Sequence, residues 1–94
     1  LALGTDDAGF LAALETALAA VAGVAPDVLV VALGLDTHVD DPLAAFAVTT
    51  DGFARLGERL ARTRLPLVLV QEGGYPSPAL GRNLARFFDG VAAA

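Results

Sequence analysis

Ninety-four residues fill one small domain or part of a larger one, and the aliphatic, aromatic and sulfur-bearing apolar types make up 55% of them before glycine is counted. Ordinary domains reach roughly 45–50% with glycine included, so this surplus suits the interior of a bigger body. A net charge of −5 with no lysine argues against a nucleic acid partner, and the absence of cysteine excludes disulfides and thiolate metal sites. The chain starts at Leu1 and has no methionine, so residues are expected to be missing upstream.

Thr5, Asp6 and Asp7 predict a helix start, with the Thr5 hydroxyl as cap and the acids at the positive end of the dipole. Phe10, Leu11, Leu14, Leu18 and Val21 then recur at helical spacing, and Gly23 and Pro26 end the helix. Its apolar part, Leu11–Val24, is interrupted by Glu15 and has no basic segment before it. It reads as too short and too weakly flanked for a membrane span or signal peptide, so a soluble, cytoplasmic protein without membrane partners is expected.

Val28–Leu33 is a β-branched run without polar alternation, the pattern of a central parallel strand covered on both faces. Gly34–Thr49 is a long connection carrying Asp36, His38, Asp40, Asp41 and Pro42. Thr50 is the predicted cap of a second helix reaching about Thr63. Phe53, Leu56 and Leu60 form its apolar face, and Arg55, Arg59 and Arg62 a solvated one. Pro66 blocks continuation of the helix, and Leu67–Val70 forms the second strand. Pro78 opens a third helix with a stripe of Leu80, Leu84, Phe87 and Phe88, and the alanine tail after Gly90 is expected to fray.

The predicted order is α-β-α-β-α, and ligands in such sheets bind beyond the carboxyl ends of the strands. Asp36 and Tyr75 both lie just beyond such ends. Two strands are too few for an independent parallel sheet, which again implies neighbours outside these residues.

Asp36 is a hard oxygen ligand suited to zinc, or else a turn aspartate bonding its own backbone. His38 is a lone loop histidine and reads as a bystander. Asp40-Asp41-Pro42 lacks the spacing of a calcium loop, and Asp41 is expected to fix the loop ahead of Pro42. Gly73 and Gly74 allow close approach of a ligand but match no phosphate-loop pattern. Tyr75, the only tyrosine, can donate its hydroxyl proton to an oxyanion or simply sit at a sheet edge.

Taken together, GLDTHVDDPL, a helix after TT, and LPLVLVQEGGY followed by another helix resemble the C-terminal part of the histone deacetylase and acetylpolyamine amidohydrolase family. Glu72 in EGGY is similar to the bacterial and class II branch. The resemblance implies a three-layer α/β/α, arginase-like fold, with residues 1–94 forming the C-terminal part of a single domain. It implies that Asp36 is a zinc ligand, that Tyr75 polarises the acyl carbonyl, and that Gly73 and Gly74 shape the pocket floor.

The family also needs an Asp-x-His ligand pair and a tandem His-His, which one histidine cannot supply. The expectation is therefore a zinc-dependent amidohydrolase of acetyl-lysine, acetylpolyamines or similar acylated amines, with this chain alone inactive. The alternatives are a degenerate, non-catalytic relative and a Rossmann-like binding module.

Overall fold

The computed structural model describes residues 1–41, 45–74 and 78–94. Helix α1 (Asp7–Val24) leads into strand β1 (Leu29–Gly34) and a 3₁₀ turn (Leu35–Thr37). Helix α2 (Thr50–Ala61), strand β2 (Leu67–Glu72) and helix α3 (Leu80–Ala93) follow. The α-β-α-β-α order read from the sequence is the order of the fold.

The two strands pair in parallel, Leu29 opposite Leu67 through Gly34 opposite Glu72. The strands therefore end side by side, which sets Asp36 and Gly73 at a common edge. Burial alternates along both strands. Leu29, Val31, Leu33, Leu67 and Leu69 turn toward a core built from Leu18 of α1, Phe53, Leu56 and Leu60 of α2, and Phe87 of α3. The other face carries Val30, 65% exposed, with Val68 and Val70 also exposed. The expected cover on both faces is thus present on one face only. The β-branched composition is that of a two-sided strand, and this chain supplies one layer of helices.

Helices α2 and α3 meet backbone to backbone. A β-carbon added to Gly57 would lie 2.1 Å from the Phe87 carbonyl oxygen, and one added to Gly90 would lie 1.8 Å from that of Ala54. Only glycine permits this approach. Helix α3 runs on through Ala93, so the tail expected to fray is helical. Phe88, assigned to its apolar stripe, is instead 50% exposed; the buried face runs through Asn83, Phe87 and Gly90.

The helix caps fall close to the predicted residues but not on them. Asp6, not Thr5, caps α1 by accepting the Gly9 N–H at 3.0 Å, while the Thr5 hydroxyl donates to the Ala2 carbonyl at 2.6 Å. At the other end Ala25, at φ 51°, takes the left-handed position expected nearer Gly23. Thr49, not Thr50, caps α2 by accepting the Gly52 N–H at 3.0 Å. Asp7 then holds that cap. Its carboxylate accepts the Thr49 N–H at 2.7 Å and the Thr49 hydroxyl at 2.6 Å. Helix α3 begins at Leu80, two residues past Pro78, and has no side-chain cap.

Helix α1, at 18 residues, is longer than its apolar segment suggested, and by length and composition it is apolar enough to cross a membrane. Here it packs on the core through Leu18, Phe10, Leu11 and Leu14. Glu15 forms a two-pronged ion pair with Arg59 of α2, one prong being Nη2 to Oε2 at 3.0 Å. The pair holds the Glu15 carboxyl below the usual glutamate range and raises the Arg59 guanidinium further. The predicted solvated arginine face is therefore also a tie between helices at Arg59. Arg62 pairs within α2, with Glu58.

Candidate active site

Strand β1 delivers Gly34 to the sheet edge, and the chain then tightens into the 3₁₀ turn. Leu35 of this turn is 1% exposed, while Asp36, next to it, is half-buried. Thr37 closes the turn by donating its hydroxyl to the Gly34 carbonyl at 3.2 Å.

The Asp36 carboxylate lies between the two strand exits. A β-carbon on Gly34 would come within 3.0 Å of Oδ1, and one on Gly73 within 2.7 Å of Cγ and Oδ2. Gly73 and Gly74 both adopt positive φ, 62° and 88°, where side chains are strained. Gly74 also lies under Leu35 and Leu80, each 2.9 Å from the position of a β-carbon there. The paired glycines thus form a side-chain-free floor that leaves room for the Asp36 carboxylate. Among the described residues that carboxylate has no hydrogen-bond or ion-pair partner. The backbone-bonded turn aspartate that the sequence left open is not what these residues form.

The structure thus brings three of the four predicted site residues together: Asp36, Gly73 and Gly74. The fourth, Tyr75, lies outside the described residues, as does Pro42 of the connecting loop. Asp41 is buried, and its N–H donates to the His38 carbonyl at 3.1 Å.

His38 is 3% exposed and occupied on both ring nitrogens. Nδ1 accepts the Asp40 N–H at 3.1 Å, so the proton of the neutral ring sits on Nε2, which faces the Thr50 hydroxyl at 3.4 Å. Thr50 in turn donates to Asn83 Oδ1 at 2.7 Å. His38 is therefore no metal ligand here, but it is more than a bystander. Its backbone also bridges to Val48, with the Val48 N–H reaching the Thr37 carbonyl at 3.1 Å and the Val39 N–H the Val48 carbonyl at 3.0 Å. Thr50 was singled out from the sequence only as a helix cap, and Asn83 not at all. The signal was an asparagine at position 83, inside the apolar spacing that links Leu80 to Phe87. A polar group on a buried face needs a partner.

Among the described residues, no group of three or more histidine, aspartate or glutamate side chains is placed to hold a metal. Asp36 is a single hard donor on a glycine floor. That fits one ligand of a divalent cation, and a catalytic zinc takes three protein ligands.

Residues 1–91 match the histone deacetylase domain family. The chain is 47% identical over 90 residues to an acetylpolyamine amidohydrolase of Burkholderia pseudomallei, covering 96% of this chain and 26% of that protein. It is 43% identical over 79 residues to acetylpolyamine amidohydrolase 1 of Pseudomonas aeruginosa, covering 84% of this chain and 23% of that protein. A crystal structure of the acetylpolyamine aminohydrolase from Burkholderia pseudomallei superimposes with a TM-score of 0.93 at 45% identity, over 99% of this chain and 27% of that one. The chain thus spans about a quarter of the length of these relatives. A match of this extent displaces the Rossmann-like alternative. From its two strand-exit motifs to its helices, the chain belongs to the histone deacetylase family.

Proposed function

We propose that this chain is the C-terminal part of a cytoplasmic amidohydrolase that removes acetyl or a similar small acyl group from an amine. The observation that carries the reading is the Asp36 carboxylate: half-buried at the carboxyl ends of two parallel strands, cradled by glycine, and unpaired among the described residues. Ligands of open α/β sheets bind at that edge. The family match and the acetylpolyamine amidohydrolase relatives support acylated amines as the substrate class.

In this reading Asp36 donates one carboxylate to zinc, and the parent protein supplies the remaining ligands. When bound, zinc polarises the acyl carbonyl and acidifies water. Gly73 and Gly74 leave the floor free of side chains, so the acyl group can approach the strand exits. Tyr75 follows them directly in sequence and donates its hydroxyl proton in a hydrogen bond to the oxyanion that forms as the amide carbonyl is attacked. Water is the attacking group: its oxygen bonds to the carbonyl carbon as a base takes its proton, the C–N bond then breaks as that proton passes to the nitrogen, and the products are a carboxylate and a free amine.

The test uses the full-length protein with acetylated polyamines and acetyl-lysine peptides. Asp36→Ala is expected to lose zinc while circular dichroism stays native. Tyr75→Phe is expected to keep zinc and lower kcat by roughly 10²–10³, the usual cost of one oxyanion donor. Unchanged metal content in the first variant removes Asp36 from the ligand set, and unchanged turnover in the second removes the role of Tyr75. The 94-residue chain alone is expected to hydrolyse neither substrate.

A further inference from the structure

The strand-exit turn is clamped on both sides of Asp36. On one side, β1 and the buried Leu35 fix the backbone. On the other stands a directed string of polar groups: the Asp40 N–H to His38 Nδ1, His38 Nε2 to Thr50, and Thr50 to Asn83. Each donor has one acceptor, so the string has a single sense. It joins three elements: the segment just after the turn, the first residue of α2, and the buried face of α3. His38 and Asn83 are 3% and 1% exposed, in surroundings where apolar side chains would pack without any need for partners. Buried polar strings of this kind specify one arrangement of the groups they connect.

We propose that His38, Thr50 and Asn83 form a positioning relay that holds the Asp36 turn in its metal-binding geometry. This rests on the reading of Asp36 as a zinc ligand. The relay touches neither metal nor substrate. It sets the backbone two residues after Asp36 against α2 and α3, and so fixes the direction in which the carboxylate leaves the turn. Groups bonded directly to metal ligands change metal affinity by about 10–100-fold when removed; the relay bonds the neighbouring backbone and not Asp36 itself, so its effect belongs at the low end of that range.

The experiment measures zinc Kd by chelator competition, and the Tm of the metal-free form, in the full-length protein. Thr50→Val keeps the shape of the side chain and removes the hydroxyl. It is expected to raise the zinc Kd by about tenfold or more, and Thr50→Ser to restore it. Should Thr50→Val not fold without metal, His38→Asn serves instead, since it keeps an acceptor for the Asp40 N–H and drops the arm toward Thr50. A lowered Tm with a zinc Kd within about twofold of the native protein in the folded variant would overturn the relay and leave a packing network. Asp36→Ala, measured in parallel, separates the two readings. If its zinc Kd is unchanged, the ligand assignment itself fails and the relay falls with it. If only the Thr50 and His38 variants are silent, the ligand assignment stands and the relay alone is wrong.

Discussion

Replacing Gly73 by alanine changes two things at once. The residue sits at φ 62°, where a side chain costs about 1–2 kcal/mol. The new methyl group would also fall 2.7 Å from the Asp36 carboxyl carbon, too close for either to stay in place. The first effect lowers stability modestly; the second turns the carboxylate away from the strand exits. If Asp36 is the zinc ligand proposed above, Gly73→Ala in the full-length protein is expected to lower Tm by only a few degrees and to weaken zinc binding by about tenfold or more, read by chelator competition. A variant that loses stability but binds zinc as tightly as before would mean that the glycine serves the turn and not the carboxylate. Both glycines were legible in the sequence as a flexible pair. Their closeness to Asp36 was not, because it depends on the register that sets Gly34 opposite Glu72.

At the scale of elements, the seam between α2 and α3 rests on Gly57 and Gly90. Alanine has the higher helix propensity, by about 1 kcal/mol. At Gly90 that gain is outweighed, because the β-carbon would stand 1.8 Å from the Ala54 carbonyl oxygen and drive the helices apart. Overpacking of this kind typically costs about 1–3 kcal/mol, occasionally more. Gly81, in the same helix, has open space around the position of its β-carbon. The two substitutions should thus differ in their effect on Tm, Gly90→Ala lowering it by several degrees and Gly81→Ala leaving it unchanged or slightly raised. Equal effects in thermal melts would mean that the seam can relax. Periodicity placed the apolar residues of both helices well but could not locate this seam. A glycine inside a helix looks like a weak helix former until its partner helix is known. The caps slipped for a related reason: Thr5 and Asp6, and Thr49 and Thr50, are adjacent residues that can each cap a helix; Asp6, the better capping type, takes the first position, and Asp7 decides the second pair by holding Thr49.

The tie between α1 and α2 is electrostatic as well as apolar. Arg59 lowers the pKa of Glu15 through its hydrogen bond. A carboxylate with a lowered folded pKa contributes stability above its unfolded pKa and loses it as pH falls through the lowered value. Glu15→Gln should thus be less stable than the native chain at neutral pH. That gap should close as pH falls below about 4.3, the ordinary glutamate value. The pair is exposed, so the difference is small and should shrink further with added salt. A gap that stays constant across the acid range in melts would mean that Arg59 contributes packing rather than charge.

For the molecule as a whole, the sheet decides the argument. Its inner face is sealed by three helices, and its outer face presents Val30, Val68 and Val70 to solvent. The sequence already carried this information, since strands built for one-sided burial alternate with polar residues and these do not. What it could not convey is which face this chain covers itself. If the remaining three quarters of a parent as long as the relatives covers the outer face, the same substitution has opposite consequences in two contexts. In the isolated chain, Val30→Thr and Val68→Thr remove exposed apolar area beside unpaired strand edges, where chains associate. The double variant should bind less of an apolar-surface dye and sediment closer to a monomer. In a full-length protein that covers this face the same two positions would be buried, and each added hydroxyl would have to find a partner or cost about 1–3 kcal/mol. There the double variant should melt at a clearly lower temperature. Equal stability in the full-length protein would mean that the outer face stays open, and that the parent is assembled around some other surface of this chain.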